Sequence, residues 1–237
     1  MEAYGSPGAR FLLIQPVDEH DMEEMDIEVS AIREAVEAPF LLVPVPVKSW
    51  NGDLSPWLAP PVFGNEGFGD GAKDTLQKIT QVIIPQIKAE YDLPNDARLI
   101  LGGYSLAGLF ALWCGHETNF FDGIAAASPS VWFPGFMEYV KAHPLQAKAV
   151  YLSLGDKEER TRNPVMRQVG DCIRALYDHY KEIPDAAATL EWNEGNHFRD
   201  AGKRTARAFS WTINARTKPD DPLRRCAPAP PEGEPFG

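Results

Sequence analysis

A serine lies at the end of an apolar segment, within the sequence GGYSLAG at residues 102–108. The residues before it, Arg98 to Tyr104, have the composition of a buried strand, and a helical pattern of apolar residues follows. A serine on a tight strand–turn–helix connection is typical of a nucleophile elbow, which exposes the hydroxyl. The turn needs small residues two positions before and two positions after the serine, here Gly103 and Ala107. Ala107 is larger by one methyl group than the glycine usually found there. We therefore predict Ser105 as a nucleophile; the alternative is an ordinary glycine-rich helix start that binds a phosphate.

A serine nucleophile needs a general base, and the base needs an acid that orients it. His197 lies just after the last predicted strand, whereas the other histidines follow the first strand, end a helix, precede a proline or lie on a helix: His20, His116, His143 and His179. The acid is expected directly after the strand that ends at Gly155, where three acids compete: Asp156, Glu158 and Glu159. At least two of these three must serve only as helix caps or solvated charges.

Acyl transfer also requires N–H donors for the oxyanion that develops on the substrate. The backbone N–H of Leu106, directly after the serine, is the first candidate. We expect the second donor in the loop after the first strand, and because Pro16 has no N–H, Val17 is the first choice and Asp18 the second.

Aromatic residues near these positions could form the substrate pocket. The segment 48–71 is rich in glycine, proline and aromatic residues and is too long for a simple connection, which favours a functional loop. We predict that Trp50, Trp132 and Tyr104 bind substrate. Three further aromatic residues could join them: Trp57, Phe63 and Phe68. The alternative is that some of these side chains only pack the long loop onto the domain.

The rest of the sequence predicts the elements that position these residues. Six apolar segments are typical of buried strands: 11–14, 40–47, 98–104, 124–127, 149–154 and 187–192. Periodic segments between them predict helices: 22–36, 72–91, 106–113, 163–176 and 200–214. Pro85 is expected to kink the second helix, and Pro44 and Pro46 disfavour a central place for the second strand. Strands that alternate with helices indicate an α/β fold with a mostly parallel sheet.

Length and composition limit the remaining possibilities. The chain has 237 residues and a net charge of −11, which argues against general binding to nucleic acid or to an anionic membrane. It contains neither a membrane-length apolar run nor a signal-peptide pattern at its start. Three widely spaced cysteines give no metal or disulfide pattern and predict reduced thiols in the cytoplasm: Cys114, Cys172 and Cys226. We expect one domain over 1–216 and a Pro-rich, disordered tail over 217–237.

Four motifs in order give a resemblance: GYSLAG at 103–108, ASPSVWF at 127–133, GDKE at 155–158 and GNH at 195–197. The chain resembles the α/β-hydrolase superfamily, and within it the esterases that include enterochelin esterases, feruloyl esterases and esterase D. The resemblance implies a three-layer α/β-hydrolase fold with a sheet of about six strands. It is a minimal version, because the residues before Phe11 are too few for the first two strands.

The same resemblance implies a Ser-His-acid hydrolase without metal or cofactor. Members of the group often carry the acid three residues after the glycine that ends the strand, which selects Glu158, with Asp156 as second choice. The expected activity is hydrolysis of small or water-soluble carboxylic esters, with a small-molecule substrate and no nucleic-acid or membrane partner. Two alternatives stay open: a non-catalytic binding protein on this fold, and a Ser-His dyad that cleaves thioesters or amides.

Overall fold

The computed structural model describes residues 2–217, and the Pro-rich segment from 218 onward, with Cys226, lies outside the described residues. In this described part of the chain, seven strands form one sheet: β1 Tyr4–Gly5, β2 Phe11–Val17, β3 Phe40–Pro46, β4 Arg98–Tyr104, β5 Gly123–Ala127, β6 Ala149–Gly155 and β7 Ala187–Asn193. Their order across the sheet is β1-β3-β2-β4-β5-β6-β7. Only β1 is antiparallel to its neighbour, so the prediction of a mostly parallel sheet is confirmed.

Helices lie on both sides of this sheet: α1 Glu19–Ala35, α2 Trp50–Asp53, α3 Ala72–Lys78, α4 Ile84–Glu90, α5 Ser105–Glu117, α6 Phe136–Ala142, α7 Val169–Lys181 and α8 Ala201–Thr217. Helices α1 and α8 cover one face and pack on each other, while α5 and α7 pack on the other. On β2, Leu13 faces α1 and α8, whereas Leu12 and Ile14 belong to the opposite core. Because both faces are covered, the strands are apolar without alternation.

The sequence missed the seventh strand, β1, because its two residues are too few to show a pattern. Among the residues that the structure describes, it pairs only with Leu41 and Leu42 of β3. The half of β3 that contains Pro44 and Pro46 therefore has a strand neighbour only on the β2 side. This agrees with the expectation that the two prolines, which lack an N–H, avoid a fully paired central position.

Two helix predictions need correction. The segment 72–91 is not simply kinked at Pro85: α3 continues through a wide π-turn, Ile79–Ile83, into α4. The N–H of Ile84 bonds to the carbonyl of Ile79, five residues back, just before the proline that has no N–H to donate. The helix expected from Asn163 starts later, because a 3₁₀ turn at Met166–Gln168 precedes α7. Asn163 still caps this turn, its Oδ1 accepting from the N–H groups of Val165 (3.0 Å) and Met166 (3.1 Å).

Within residues 2–217, no helix combines the length and the apolar character needed to cross a membrane.

A buried carboxyl group lies between β2 and α1. Glu28 and Gln15 are each 1% exposed, and Gln15 Nε2 donates to Glu28 Oε2 over 3.2 Å. In the described part of the chain, the Oε1 atoms of both residues have no hydrogen-bond partner. Burial, with a smaller contribution from Asp21 and Glu24, raises the pKa of Glu28 well above its usual range.

We expect Glu28→Gln to stabilise the protein at pH 8 and to have little effect near pH 4. The folded state favours protonated Glu28, so the wild type loses stability as pH rises above the unfolded pKa of about 4.3. The glutamine has no proton to lose, and its NH₂ can donate to the unpaired Gln15 Oε1. Urea unfolding should give a gain of about 1–3 kcal/mol at pH 8. The exposed Asp26→Asn is the control, and a gain that is independent of pH would contradict this account.

Candidate active site

Ser105 occupies a strained turn between β4 and α5. Its φ is +55°, in the left-handed region that residues other than glycine rarely adopt. A Cβ at Gly103 would lie only 2.6 Å from the Cβ of Ala107, so the glycine is required there. Ala107 itself fits, which accounts for this one departure from the two-glycine pattern. Non-glycine residues at such angles cost about 1–3 kcal/mol and are found mostly at functional sites.

A continuous chain of hydrogen bonds joins three of the predicted residues. His197 Nε2 lies 3.0 Å from Ser105 Oγ, and His197 Nδ1 lies 2.7 Å from Glu158 Oε2. The carboxylate can only accept here, so Nδ1 carries the proton and Nε2 is left as the acceptor of the serine proton. Each side chain comes from the carboxyl end of a parallel strand: Ser105 after β4, Glu158 after β6 and His197 after β7.

The other two candidate acids lie away from the histidine. Asp156 is exposed, and its Oδ1 accepts from the N–H of Gly195 over 2.7 Å, which braces the loop before His197. Glu159 forms an ion pair with Arg174 at 2.8 Å. Of the three acids, Glu158 alone contacts the imidazole. The three are neighbours in the sequence, so only their tertiary contacts distinguish them.

The carboxylate of Glu158 is enclosed and fully bonded. Its side chain is 4% exposed. While Oε2 faces His197, Oε1 accepts from the N–H of Gly155 (2.7 Å), the hydroxyl of Ser128 (2.8 Å) and Nη1 of Arg204 (2.9 Å). A buried charge is tolerated only when it is paired and hydrogen-bonded, and both conditions hold here.

Arg204 is the main residue that sequence reasoning missed. Its side chain is 1% exposed and donates to five acceptors: Glu158 Oε1 (2.9 Å), Tyr104 Oη (3.1 Å), Ser128 Oγ (3.2 Å) and the carbonyls of Glu194 (3.0 Å) and Asn196 (3.1 Å). It thus ties the acid to the backbone of Glu194 and Asn196, in the loop just before His197. No sequence signal pointed to it, because Ala208, one helical turn later on the same face of α8, is known to be buried only from the structure.

Tyr104, predicted to bind substrate, does not lie where a substrate could contact it. It belongs to the core under α8 and is absent from the cavity wall. Burial, followed by the charge of Glu158, raises the pKa of Tyr104 to about 12, so its hydroxyl stays protonated. That hydroxyl donates to the carbonyl of His197 over 2.7 Å. Tyr104 therefore supports the histidine.

Two serines of the SPSVWF segment, residues 128–133, border the hydrogen-bonded chain, Ser130 at Ser105 and Ser128 at Glu158. The N–H of Ser130 donates to the carbonyl of Ser105 over 3.0 Å, and the two hydroxyl oxygens lie 3.3 Å apart. Ser128 bonds to Glu158, as described above. The residue types of this segment do not indicate these hydrogen bonds, which depend on tertiary structure.

The N-terminus of α5 is the strongest candidate for the oxyanion donor. The N–H groups of the first helical turn lack intrahelical partners, and across residues 2–217 no side chain caps this end of α5. Leu106 belongs to that turn and lines the cavity. Val17 is fully buried in the core and does not line the cavity, so its role as second donor stays a prediction. The N–H of Asp18 already donates to Asp21 Oδ2 over 3.2 Å.

A cavity of about 540 Å³ opens in front of Ser105. Apolar and aromatic side chains make most of its wall: Trp50, Phe63, Phe68, Leu106, Trp132, Met166, Val169 and Phe198. Trp50 and Trp132 line this cavity, and their role in substrate binding stays a prediction. Trp57 instead donates its Nε1–H to the carbonyl of Pro134 over 2.9 Å and packs the long loop onto the domain. Asn51, which is 8% exposed, adds a polar group to the wall.

No model of a known protein family matches the sequence, and no curated protein matches it. Solved structures do match over most of the chain. The siderophore hydrolase EstA from Aspergillus nidulans is 17% identical, with a TM-score of 0.63 over 90% of this chain and 94% of that one. An IroE-like serine hydrolase from Shewanella oneidensis is 15% identical, with a TM-score of 0.72 over 88% and 73% of the two chains. The chain has an α/β-hydrolase fold.

A carboxylesterase from Bacillus cereus shares this α/β-hydrolase fold at 15% identity, with a TM-score of 0.55 over 91% of this chain and 94% of that one. At these identities the likeness concerns the fold. The role of each side chain in the present α/β-hydrolase site must be argued from its own contacts.

We expect Arg204→Met to lower the free energy of unfolding by about 3–5 kcal/mol, because it leaves the buried Glu158 carboxylate without its cation. Arg207→Met, one turn closer to the C-terminus of α8, is the matched control. The Arg207 side chain is 49% exposed, pairs with Glu191 at 3.2 Å and donates to Asn193 Oδ1, so its loss should cost about 1–2 kcal/mol. Urea unfolding measures both variants, and equal losses would contradict the role given to Arg204.

Proposed function

We propose that the protein is a serine hydrolase that cleaves carboxylic esters of small or water-soluble substrates through an acyl-enzyme. The observation that carries the proposal is the hydrogen-bonded sequence Glu158–His197–Ser105 at the wall of an apolar cavity. The fold shared with structures named siderophore hydrolase, serine hydrolase and carboxylesterase supports it. A small-molecule ester is the partner we propose.

The first half of the reaction forms the acyl-enzyme. Ser105 Oγ attacks the ester carbonyl carbon while its proton passes to His197 Nε2, which lies 3.0 Å away. The carbonyl oxygen becomes an oxyanion beside the N–H of Leu106, where the positive end of the α5 dipole stabilises it. When the carbon–oxygen bond breaks, the imidazolium gives its proton to the departing alkoxide, which leaves as an alcohol.

The second half reverses these roles with water as the nucleophile. His197 Nε2 takes a proton from water, the resulting hydroxide attacks the acyl carbon, and the proton then returns to Ser105 Oγ as the acid leaves. Glu158 keeps the imidazole in the required tautomer and stabilises its charged form. Arg204 holds Glu158 in place and acts through that residue rather than on the substrate.

The cavity supports the substrate class. Its volume of about 540 Å³ lies within the range of about 300–1,000 Å³ that is usual for small-molecule sites. The aromatic wall suits the carbon skeleton of an ester. The side-chain amide of Asn51 makes no hydrogen bond to any residue between 2 and 217, and we propose that it binds a polar atom of the substrate.

A cytoplasmic location is part of the proposal. Cys114 and Cys172 are free thiols, which accords with a reducing compartment.

We expect both Ser105→Ala and His197→Ala to abolish hydrolysis of p-nitrophenyl esters, because each removes an atom that the acyl-transfer step requires. Release of p-nitrophenol from esters of different acyl lengths measures the activity, and the preferred acyl length indicates the size of the pocket. A fluorophosphonate should label the wild type and fail to label either variant. His20→Ala, at an exposed histidine, is the control. Turnover that persists in Ser105→Ala would refute the nucleophile, and a wild type without turnover or labelling would leave a non-catalytic binding protein.

We expect Glu158→Gln to lower kcat/KM by up to about 10⁴-fold, as removal of the orienting acid does in other triads. Asp156→Asn should lower it less than about tenfold, because Asp156 contacts the loop backbone and not the imidazole. Both changes keep the side-chain shape, and thermal unfolding checks that each variant is folded. A loss well below tenfold in both variants would point to a Ser-His dyad instead of a triad.

A further inference from the structure

Two cations line the mainly apolar cavity in front of Ser105. The side chains belong to Lys157 and Arg160, both exposed residues. Lys157 directly precedes the 3₁₀ turn Glu158–Arg160, which follows β6, and Arg160 is the last residue of that turn. In a 3₁₀ turn, side chains three positions apart lie on the same face. Lys157 and Arg160 have this spacing, and the N–H of Arg160 bonds to the carbonyl of Lys157 over 3.1 Å. The turn therefore presents two positive charges side by side.

The acids near these cations are already engaged. Glu158 is bonded to Arg204 and His197, Glu159 is paired with Arg174, and Asp156 accepts from the backbone of Gly195. By contrast, neither the Lys157 nor the Arg160 side chain has an ion-pair or hydrogen-bond partner anywhere in residues 2–217. Their charges are available to a molecule in the cavity.

The charge of the cavity wall is opposite to that of the whole protein. The chain carries a net charge of −11, yet within residues 2–217 the one acidic residue on the wall, Glu158, is balanced by the buried Arg204. Lys157 and Arg160 therefore leave this wall positive. Long-range attraction from the protein as a whole cannot bring an anion to the site, so any preference for anions must arise from these two side chains.

We propose that the preferred substrate is an ester that carries a negatively charged group, such as a carboxylate, away from the reacting carbonyl. Lys157 and Arg160 bind that group, while the aromatic wall around Trp50 and Trp132 holds the carbon skeleton. Two adjacent cations match the two oxygens of a carboxylate, and arginine can contact both at once. This inference rests on the proposed function, because it assigns the substrate of the same site.

Two pairs of esters test the inference, one for each side of the ester bond. On the alcohol side, 4-acetoxybenzoate is compared with its neutral methyl ester. On the acyl side, mono-4-nitrophenyl adipate is compared with methyl 4-nitrophenyl adipate. The measured quantity is the ratio of kcat/KM for the anionic ester to that for the neutral one. Comparing this ratio between wild type and variants cancels the intrinsic reactivity of the esters.

In Lys157→Gln/Arg160→Gln, the ratio should fall about tenfold for at least one pair, mainly through KM, since two partly solvated ion pairs are lost. Turnover of the neutral esters should stay within about twofold of wild type, because neither cation contacts the reacting atoms. Lys73→Gln/Lys78→Gln is the matched control: it removes the same charge from exposed positions on α3 outside the cavity wall, and its ratio should equal that of wild type.

The outcomes separate this inference from the proposed function. If neutral esters are hydrolysed in a Ser105-dependent way while the ratio stays unchanged in Lys157→Gln/Arg160→Gln, the anion site is refuted and the hydrolase stands. An equal fall in the control variant also refutes it, because the effect would then come from net charge. If no ester is hydrolysed by the wild type, the hydrolase proposal fails and this inference fails with it.

Discussion

The buried ion pair between Glu158 and Arg204 is the interaction on which the site depends. Removing two charges from water costs several kcal/mol per ion, and the pair survives only if the remaining polar atoms are also bonded. That requirement fixes the surroundings: Tyr104, Ser128 and the backbone just before His197 must all lie where Arg204 can reach them. The hydrogen bonds of one buried guanidinium therefore fix the relative positions of β4, β5, the turn that carries Glu158 and the loop that carries His197.

The nucleophile is held by packing instead of charge. The positive φ of Ser105 has an energetic cost, and the structure can sustain it only because the helix that follows cannot shift. Every residue of α5 from Leu106 to His116 is buried, as expected for a helix that is apolar on all sides. Gly108 allows the close approach of Pro129, since a Cβ there would lie 3.1 Å from the proline Cβ. Steric and electrostatic constraints thus fix opposite ends of the same hydrogen-bonded chain.

These two kinds of constraint explain which parts could be predicted from the sequence. The elbow is encoded in a few contiguous residues, and His197 follows the last strand, so local pattern and strand order suffice for both. Local pattern could not identify the acid, because Asp156, Glu158 and Glu159 are neighbours and only tertiary contacts distinguish them. The resemblance to known esterases, not the residues alone, selected Glu158. Arg204 could not be assigned a role, since its five acceptors are spread over distant segments and two are backbone carbonyls.

The substrate-facing residues were the hardest to predict, and the reason is geometric. Side chains alternate across a strand, so a residue next to the nucleophile in sequence can point to the opposite face. Tyr104 does so: it joins the core beneath α8 and supports His197 from behind. Trp50 and Trp57 come from the same loop, yet one lines the cavity and the other packs against α6 through Tyr139. A loop's composition indicates that a pocket exists, whereas the fold of that loop decides which of its aromatic residues a substrate can contact.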